Sequence, residues 1–129
     1  MIVEGLGSEF IIDDELVEGS EEEVKRQVNE FLSRERDVFS LNFSFPDGGL
    51  GYVLREIDKI PYGETRTYSE IADEANTSAI DVGGYCGRNP LPLIIPCHRV
   101  VGKNKLGGYK SGKEVKRKLL KMENSLPEY

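Results

Sequence analysis

The chain has 129 residues, 38% hydrophobic and 31% charged, a composition typical of one folded globular unit. This length excludes a multi-domain enzyme, and the scattered glycines and prolines exclude a fibrous repeat. No apolar run approaches the roughly 20 residues that cross a bilayer, and the first residues lack a signal-peptide pattern, so we expect a cytoplasmic protein without membrane contact. Two cysteines and one histidine do not supply a four-ligand zinc site, and we expect neither a metal nor a cofactor.

The net charge of −6 hides two regions of opposite sign. Residues 1–49 hold 4 basic and 13 acidic side chains, whereas residues 50–129 hold 13 basic and 10 acidic ones. A basic C-terminal part favours a polyanionic partner such as DNA, although two differently solvated faces would give the same counts.

The acidic N-terminal part predicts a small α+β unit over residues 1–46. Residues 9–12 form a short apolar run typical of a strand, and residues 38–45 alternate apolar and polar side chains as a half-buried strand does. Between them, SEEE at positions 20–23 is a capping box that predicts a helix of about three turns. The turn sequence PDGG at 46–49 marks the boundary with a second unit over residues 47–129.

The second unit begins with three predicted helices. Apolar spacing predicts one over residues 50–57, a capping box at 67–70 opens another that reaches residue 75, and Ser78 can cap a third over residues 79–88. The last two surround a short turn and resemble a helix-turn-helix, a DNA-binding element, although many helical hairpins share this pattern. The third helix contains Gly83, Gly84 and Gly87, each unfavourable by about 1 kcal/mol relative to alanine. These glycines indicate a close approach there, by another helix or by a nucleic-acid backbone.

The end of the chain predicts one more strand and one more helix. Residues 91–95 form a short apolar run between prolines that leads to Cys97, and a capping box at 111–114 opens a helix with an apolar stripe. Glu123 falls on the inward side of that helix near its C-terminus, where a carboxylate is unfavourable unless it has a partner.

Cys97 and His98 form the candidate chemical centre. A free thiol is mostly protonated at neutral pH and needs a base or a positive field to become a nucleophile, and His98 is the only imidazole in the chain. Because neighbours in an extended segment point to opposite sides, we expect a bridging water between them, with Glu123 accepting the other ring N–H. The alternative is a packed cysteine beside a surface imidazole.

A longer pattern favours the catalytic interpretation. The string NPLPLIIPCHRVV at 89–101, GGY at 107–109 and the segment from Lys116 to Glu123 closely resemble the active-site region of the O6-alkylguanine-DNA alkyltransferases. The resemblance extends upstream through IPYGETRTY at 60–68 and covers about residues 50–124. The first 45 residues match only loosely and are short for the first domain of that family.

The resemblance implies a role for each matching residue. Cys97 would take the alkyl group, and His98, through water and with Glu123 behind it, would generate the thiolate. Further roles would fall to Asn89 as a hinge, Tyr68 in rotating the nucleotide and donating a proton, Val100 through its carbonyl to the base, and Tyr109 in the loop that closes over the base.

The chemistry supports these roles independently. The substituent on guanine O6 is an sp³ carbon electrophile, so its transfer needs a soft nucleophile in line and a proton donor for the departing base. No second nucleophile is evident to remove the thioether, so we expect one reaction per molecule. Because the target atom is inaccessible inside duplex DNA, the base must be extruded, which requires a DNA-gripping element. The resemblance implies that the glycine-bearing helix has this role and enters the minor groove.

Several positions depart from the family pattern. Ile80 stands where the family usually has an arginine that fills the gap left by the base, and Asp81 adds a charge that phosphate repels. Arg88 would compensate in part, or form a solvated helix end, and Lys110 replaces a small residue of the closing loop. Cys86 has no assigned role, and we interpret it as a small core residue.

The sequence therefore predicts an α+β fold, with a small N-terminal strand-and-helix appendage and a mainly helical, winged-helix-like C-terminal domain that contains the helix-turn-helix. The expected partner is double-stranded DNA containing O6-alkylguanine, and the expected state is a monomer. DNA and base contacts are assigned to Ile80, Gly83, Gly84, Arg88, Val100, Tyr109 and Lys110. The alternatives are a non-catalytic lesion-binding relative, a helix-turn-helix regulator with an inert cysteine, and a cysteine hydrolase that turns over repeatedly.

Overall fold

The computed structural model describes residues 1–129 and has an α+β architecture with five α-helices, two two-stranded sheets and one 3₁₀-helix. In chain order the elements are β1 (Ile2–Gly5), β2 (Ser8–Ile11), α1 (Glu21–Leu32), α2 (Gly48–Asp58), β3 (Arg66–Thr67), α3 (Tyr68–Ala75), α4 (Ala79–Cys86), the 3₁₀-helix (Cys97–Arg99), β4 (Val100–Val101) and α5 (Lys113–Met122). None of the helices combines the length and the apolar character that crossing a membrane requires.

The chain begins with an antiparallel hairpin. The predicted strand at 9–12 is confirmed as β2, and it pairs with β1, which the sequence analysis did not predict. The two-residue turn has positive φ angles at Leu6 (52°) and Gly7 (74°), the backbone that a tight hairpin needs. Val3 and Phe10 face each other across the ladder and are buried.

Helix α1 follows its N-terminal cap as expected. The Ser20 hydroxyl accepts a hydrogen bond from the Glu23 amide, but the Glu23 carboxylate binds Arg26 and Gln27 instead of completing the box.

The predicted strand at 38–45 is wrong. This segment is extended and its alternate apolar residues do pack against the core, but only an isolated bridge joins Phe43 to Val17. Two backbone hydrogen bonds of 2.8 Å, Glu18 to Asn42 and Ser44 to Leu16, replace a ladder. The alternation of apolar and polar residues therefore marks which side of this segment is buried. It does not make the segment a strand, since no neighbouring strand is available to pair with it.

Helices α3 and α4 pack together around a short turn. The capping box at Thr67 and Glu70 is complete, Asn76 ends α3 in the left-handed region (φ 54°), and Ser78 caps α4. All three predicted helices in this stretch are confirmed.

The predicted strand at 91–95 is also wrong, because the segment forms a turn. Leu93 has a φ of 73°, and the Ile95 amide donates to the Leu91 carbonyl at 2.9 Å. The proline at position 92 has no N–H for a ladder, which disfavours a strand here.

Helix α5 is confirmed, but its predicted capping box is wrong. Gly112 occupies the N-cap with a φ of 106°, and no side chain caps the helix. The Ser111 hydroxyl instead donates to the Glu9 carbonyl of the hairpin at 3.5 Å.

The main core contains 23 buried residues drawn from both sides of position 46, including Phe10, Phe31, Leu54, Ile95 and Leu119. The hairpin, α1 and the helices of the C-terminal part thus bury their apolar faces against one another. The division into units at 1–46 and 47–129 stays a prediction.

Candidate active site

Cys97 lies at the start of the 3₁₀-helix, and the extended backbone expected at this position is wrong. Three residues per turn place successive side chains about 120° apart instead of on opposite sides. The helix also buries Cys97, His98 and Arg99, so the alternative of a surface imidazole is excluded.

His98 and Glu123 form a buried pair. His98 Nε2 lies 2.6 Å from Glu123 Oε2, and both side chains are fully inaccessible to solvent. Arg99 binds the same carboxylate, with Nε 2.7 Å from Oε1 and a second nitrogen 3.2 Å from Oε2. Two partners therefore offset the cost of a carboxylate at the C-terminus of α5.

The surroundings of His98 keep its imidazole neutral. Burial lowers its pKa, and the charges of Arg99 and Lys116 act in the same direction, against the raising effect of Glu123. Burial would raise the pKa of Glu123, but hydrogen bonds from His98 and Arg99 lower it overall. A neutral imidazole that donates from Nε2 has its lone pair on Nδ1, and Nδ1 has no hydrogen-bond partner within the chain. His98 can therefore accept a proton at Nδ1.

The Cys97 thiol is held in its protonated form. Its interaction with Cys86, together with burial, raises the pKa of Cys97 well above the usual range, while Asn89 and Lys116 act in the opposite direction. The sulfur is therefore a nucleophile only when a base removes its proton.

Asn89 connects the end of α4 to the Cys97 segment. Its side-chain amide donates to the Ile95 carbonyl at 2.8 Å, and its side-chain oxygen accepts from the Leu91 amide at 2.9 Å. Asn89 is buried, so these two bonds satisfy it and fix the turn that precedes Cys97.

Lys116 is a fully buried lysine that the sequence analysis left without a role. Its ammonium donates to the Val100 carbonyl at 2.6 Å, the Gly108 carbonyl at 3.1 Å and the Tyr68 hydroxyl at 3.3 Å. Burial lowers the pKa of Lys116 to about 8, and burial with the two cysteines raises the pKa of Tyr68 to about 12. Lys116 thereby ties α3, β4 and the loop before α5 together, and Tyr68 keeps its proton.

Two cavities lie on either side of Cys86, Tyr109 and Lys110. The inner cavity, of about 280 Å³, reaches Cys97 and is closed on one side by hairpin residues Ser8, Glu9 and Ile11. The outer cavity, of about 640 Å³, is lined by Tyr68, by Gly107 and Gly108, and by Ile80 and Gly83 of α4. A side chain at Gly107 (φ 81°) would collide with the Tyr68 ring, so glycine lets this loop approach.

Tyr109 lies between the cavities and stacks edge-on to His98, with ring centroids 6.3 Å apart. Its hydroxyl is buried without a hydrogen-bond partner in the chain. Burial raises its pKa, so the hydroxyl keeps its proton.

The outer face of α4 has no partner inside the protein. Ile80 is 87% exposed, and a Cβ at Gly83 or Gly84 would meet nothing within 4 Å. Another helix is thus excluded as the reason for these two glycines. Asp81 accepts a hydrogen bond from the Thr77 hydroxyl at 2.8 Å, and Arg88 lies over the Tyr85 ring at 4.8 Å.

The structure brings together Cys97, His98, Glu123 and Asn89, and a second set of Tyr68, Val100 and Tyr109 around Lys116 and the outer cavity. Five further predicted residues are exposed: Ile80, Gly83 and Lys110 at the rim of the outer cavity, and Gly84 and Arg88 away from it. Arg99 and Lys116 are the buried charges that sequence reasoning missed. For Arg99 the available indication was Glu123 itself, since a buried carboxylate can need more than one partner.

A thiol whose neighbouring imidazole is oriented by a buried carboxylate is the arrangement by which proteins activate a nucleophilic cysteine. No group of three or more His, Cys, Asp or Glu side chains is placed to hold a metal ion. The fold and the site therefore define an α+β protein with a buried cysteine–histidine–carboxylate centre next to a helical pair, of which α4 has an exposed outer face.

Comparison with known proteins identifies the family. The model for the DNA-binding domain of 6-O-methylguanine DNA methyltransferase matches residues 51–125. A methylated-DNA–protein-cysteine methyltransferase of Archaeoglobus fulgidus is 43% identical over 111 residues, covering 81% of this chain and 76% of that protein. The chain belongs to the 6-O-methylguanine DNA methyltransferase family.

Other relatives share the C-terminal part. A methyltransferase of the same name from Methanocaldococcus vulcanius is 58% identical over 71 residues, covering 55% of this chain and 44% of its own. The chain spans about half the length of this relative and of one from Metallosphaera sedula (47%). Mycobacterium tuberculosis OGT, solved in complex with DNA, has a TM-score of 0.74 and 39% identity over 79% of this chain and 65% of its own.

Proposed function

We propose that this protein repairs O6-alkylguanine in double-stranded DNA by transferring the alkyl group irreversibly to Cys97. The observation that carries the proposal is the fully buried His98–Glu123 pair, whose histidine directly follows Cys97, a cysteine that lines a cavity adjoining α4. Membership of the methyltransferase family supports it and favours it over a non-catalytic lesion-binding protein or a plain regulator.

The proton of Cys97 leaves through His98. Nδ1 takes the proton, directly or through a water, and Glu123 stabilises the imidazolium that forms. The thiolate attacks the alkyl carbon, a new S–C bond forms, and the bond between that carbon and guanine O6 breaks with its electron pair on the base. Because the pKa of Cys97 is raised, deprotonation and attack are closely linked.

Tyr68 supplies the proton that the departing guanine needs. Since Lys116 donates to the Tyr68 oxygen, the phenolic hydrogen is free to point toward the base. Val100 remains able to bind the amino group of the base, because its carbonyl has a second lone pair beside the one that Lys116 occupies. Tyr109 closes the cavity over the base.

DNA is bound by α3 and α4, which act as a helix-turn-helix in a winged-helix-like domain. The bare face around Gly83 and Gly84 lets a minor-groove backbone approach closely, and exposed Ile80 inserts where the extruded base was. The base then enters through the outer cavity beside Tyr68, and its O6 substituent extends past Cys86 into the inner cavity that Cys97 lines, with Arg88 and Lys110 near the phosphates.

The protein works without a cofactor, once per molecule. One thiol accepts one alkyl group, so a monomer suffices, and a substrate in DNA agrees with the predicted cytoplasmic location. The binding should weaken with increasing salt, since lysine and arginine side chains displace counterions from phosphates.

Incubation with O6-benzylguanine followed by peptide mass spectrometry tests the proposal. We expect a single benzyl adduct on the Cys97 peptide, no adduct in Cys97→Ser, and an adduct retained in Cys86→Ala. A reduced protein that gives no adduct would favour the lesion-binding or regulatory alternatives. Product released beyond one equivalent would instead indicate a hydrolase.

A further inference from the structure

The two cysteines of the chain lie side by side. Cys86 is the last residue of α4, Cys97 is the first of the 3₁₀-helix, and both line the inner cavity. Both line this one cavity and each shifts the pKa of the other, although ten residues separate them along the chain. Cys86 therefore does more than fill space in the core, because it shares a cavity with Cys97.

Access to the pair is asymmetric. Cys86 is partly exposed and also lines the outer cavity, whereas Cys97 is buried and faces only the inner one. A small reagent that enters the outer cavity meets Cys86 first.

The electrostatics of the pair favour ionisation of Cys86. Its interaction with Cys97 lowers the pKa of Cys86, and the Lys116 charge acts in the same direction against the effect of burial. Cys97 is held protonated by the same interaction. The pair thus combines a partly exposed cysteine of lowered pKa with a buried thiol that lines the same cavity, an arrangement typical of redox-sensing cysteines.

We propose that Cys86 and Cys97 form a reversible intramolecular disulfide when the protein meets a hydroperoxide. In the first step the Cys86 sulfur attacks the distal oxygen of the peroxide, the O–O bond breaks, and Cys86 becomes a sulfenic acid while the peroxide leaves as an alcohol or water. In the second step the Cys97 sulfur attacks the Cys86 sulfur, the S–S bond forms, and the hydroxyl leaves as water with the Cys97 proton. Two thiols are oxidised and one peroxide is reduced.

The disulfide would switch off alkyl transfer and protect the sulfur. A Cys97 sulfur bonded to Cys86 cannot form the thiolate that would attack an alkyl carbon. This effect on alkyl transfer rests on the proposed function. The disulfide also keeps Cys97 from oxidation to the irreversible sulfinic and sulfonic acids. In a reducing cytoplasm such a bond is transient, as regulatory disulfides there are.

Limited treatment of the full chain with hydrogen peroxide tests this inference. We expect one cross-linked peptide pair that joins Cys86 to Cys97 and is lighter by two hydrogens than the reduced pair. We also expect loss of adduct formation with O6-benzylguanine and its recovery after dithiothreitol. Each peroxide-treated protein is compared with the same protein kept reduced.

Cys86→Ala is the matched variant. It should give no cross-link, and the activity that peroxide removes should not return with dithiothreitol, because Cys97 then oxidises alone. Inactivation of the native protein without the cross-link, or recovery equal to that of Cys86→Ala, would overturn the inference. If the cross-link forms in a protein that never reacts with O6-benzylguanine, the proposed function fails and the disulfide stands.

Discussion

The buried centre and the outer face of α4 are built in opposite ways. In the centre, Glu123 accepts hydrogen bonds of 2.6 to 3.2 Å from His98 and Arg99, so these buried polar groups have their partners inside the protein. On α4, exposed Ile80 and two glycines with empty space above them weaken the helix and gain nothing inside the protein. In the proposed function, the chemical steps take place at this buried centre, and DNA is contacted by a surface that has no partner inside the protein.

Replacement of His98, the proposed general base, should have the largest effect on the rate of alkyl transfer. His98→Gln can still donate to Glu123 but has no atom that becomes protonated, so the rate of alkyl transfer should fall about 10²- to 10⁴-fold. The rate of adduct formation on Cys97, followed by mass spectrometry, measures it, with circular dichroism to check the fold. An unchanged rate would show that another group deprotonates the thiol.

Removal of the carboxylate should be the largest perturbation of stability. Glu123→Ala leaves Arg99 charged and buried without its partner, which costs about 3–5 kcal/mol of the free energy of unfolding. Urea denaturation measures the loss. Glu114→Ala is the control, because its ion pair with Arg117 is exposed and should stabilise little. Equal losses in the two variants would contradict the importance of the buried pair.

The same centre makes stability depend on pH. The pKa of His98 is lowered by burial from 6.5, so the unfolded chain binds its proton first and the free energy of unfolding decreases as the pH falls below about 6.5. The lowered pKa of Glu123 adds a further loss below about 4.5. Denaturation at about pH 7 and about pH 5 should therefore differ. The difference should shrink in His98→Gln, and an equal difference there would assign it to other groups.

Addition of a methyl group to α4 should separate stability from recognition. Gly84→Ala fills open space in a helix interior and should raise the free energy of unfolding by about 0.5–1 kcal/mol. The same methyl group should weaken binding to duplex DNA, measured by fluorescence anisotropy, if a backbone approaches here. Gly107→Ala is the contrasting variant and should destabilise, because its φ is 81° and Tyr68 blocks the space. Unchanged DNA binding in Gly84→Ala would exclude the close approach.

The two regions also differ in how far the sequence predicts them. All five helices follow from apolar spacing, and capping side chains mark the start of α1, α3 and α4, because those signals lie within the helix or at its ends. The segment at 38–45 lacks the partner that would make it a strand, and the segment at 91–95 folds into a turn. Strands β3 and β4 pair across more than thirty residues, which no local pattern reveals.

For the candidate site, the sequence predicted that the inward carboxylate Glu123 needs a partner. It did not reveal Arg99 and Lys116, because charged side chains are rarely buried, and Lys116 in addition lies in a run of charged residues typical of a solvated surface. The 3₁₀ conformation at Cys97 was also missed, since three residues carry too little periodicity to distinguish it from an extended chain.

A positive charge added to the outer face of α4 should have the smallest effect on stability and should change only DNA binding. Ile80→Arg changes a side chain that is 87% exposed, so the free energy of unfolding should stay within about 0.5 kcal/mol. One added phosphate contact should tighten DNA binding and steepen its logarithmic salt dependence by about 0.9. Ile80→Gln is the uncharged control. The reaction with free O6-benzylguanine needs no DNA and should be the same in both variants. A faster reaction with alkylated duplex in Ile80→Arg alone would show that isoleucine at this position weakens DNA binding and leaves the chemical step unchanged. Equal salt dependence in the two variants would mean that position 80 does not approach the phosphates.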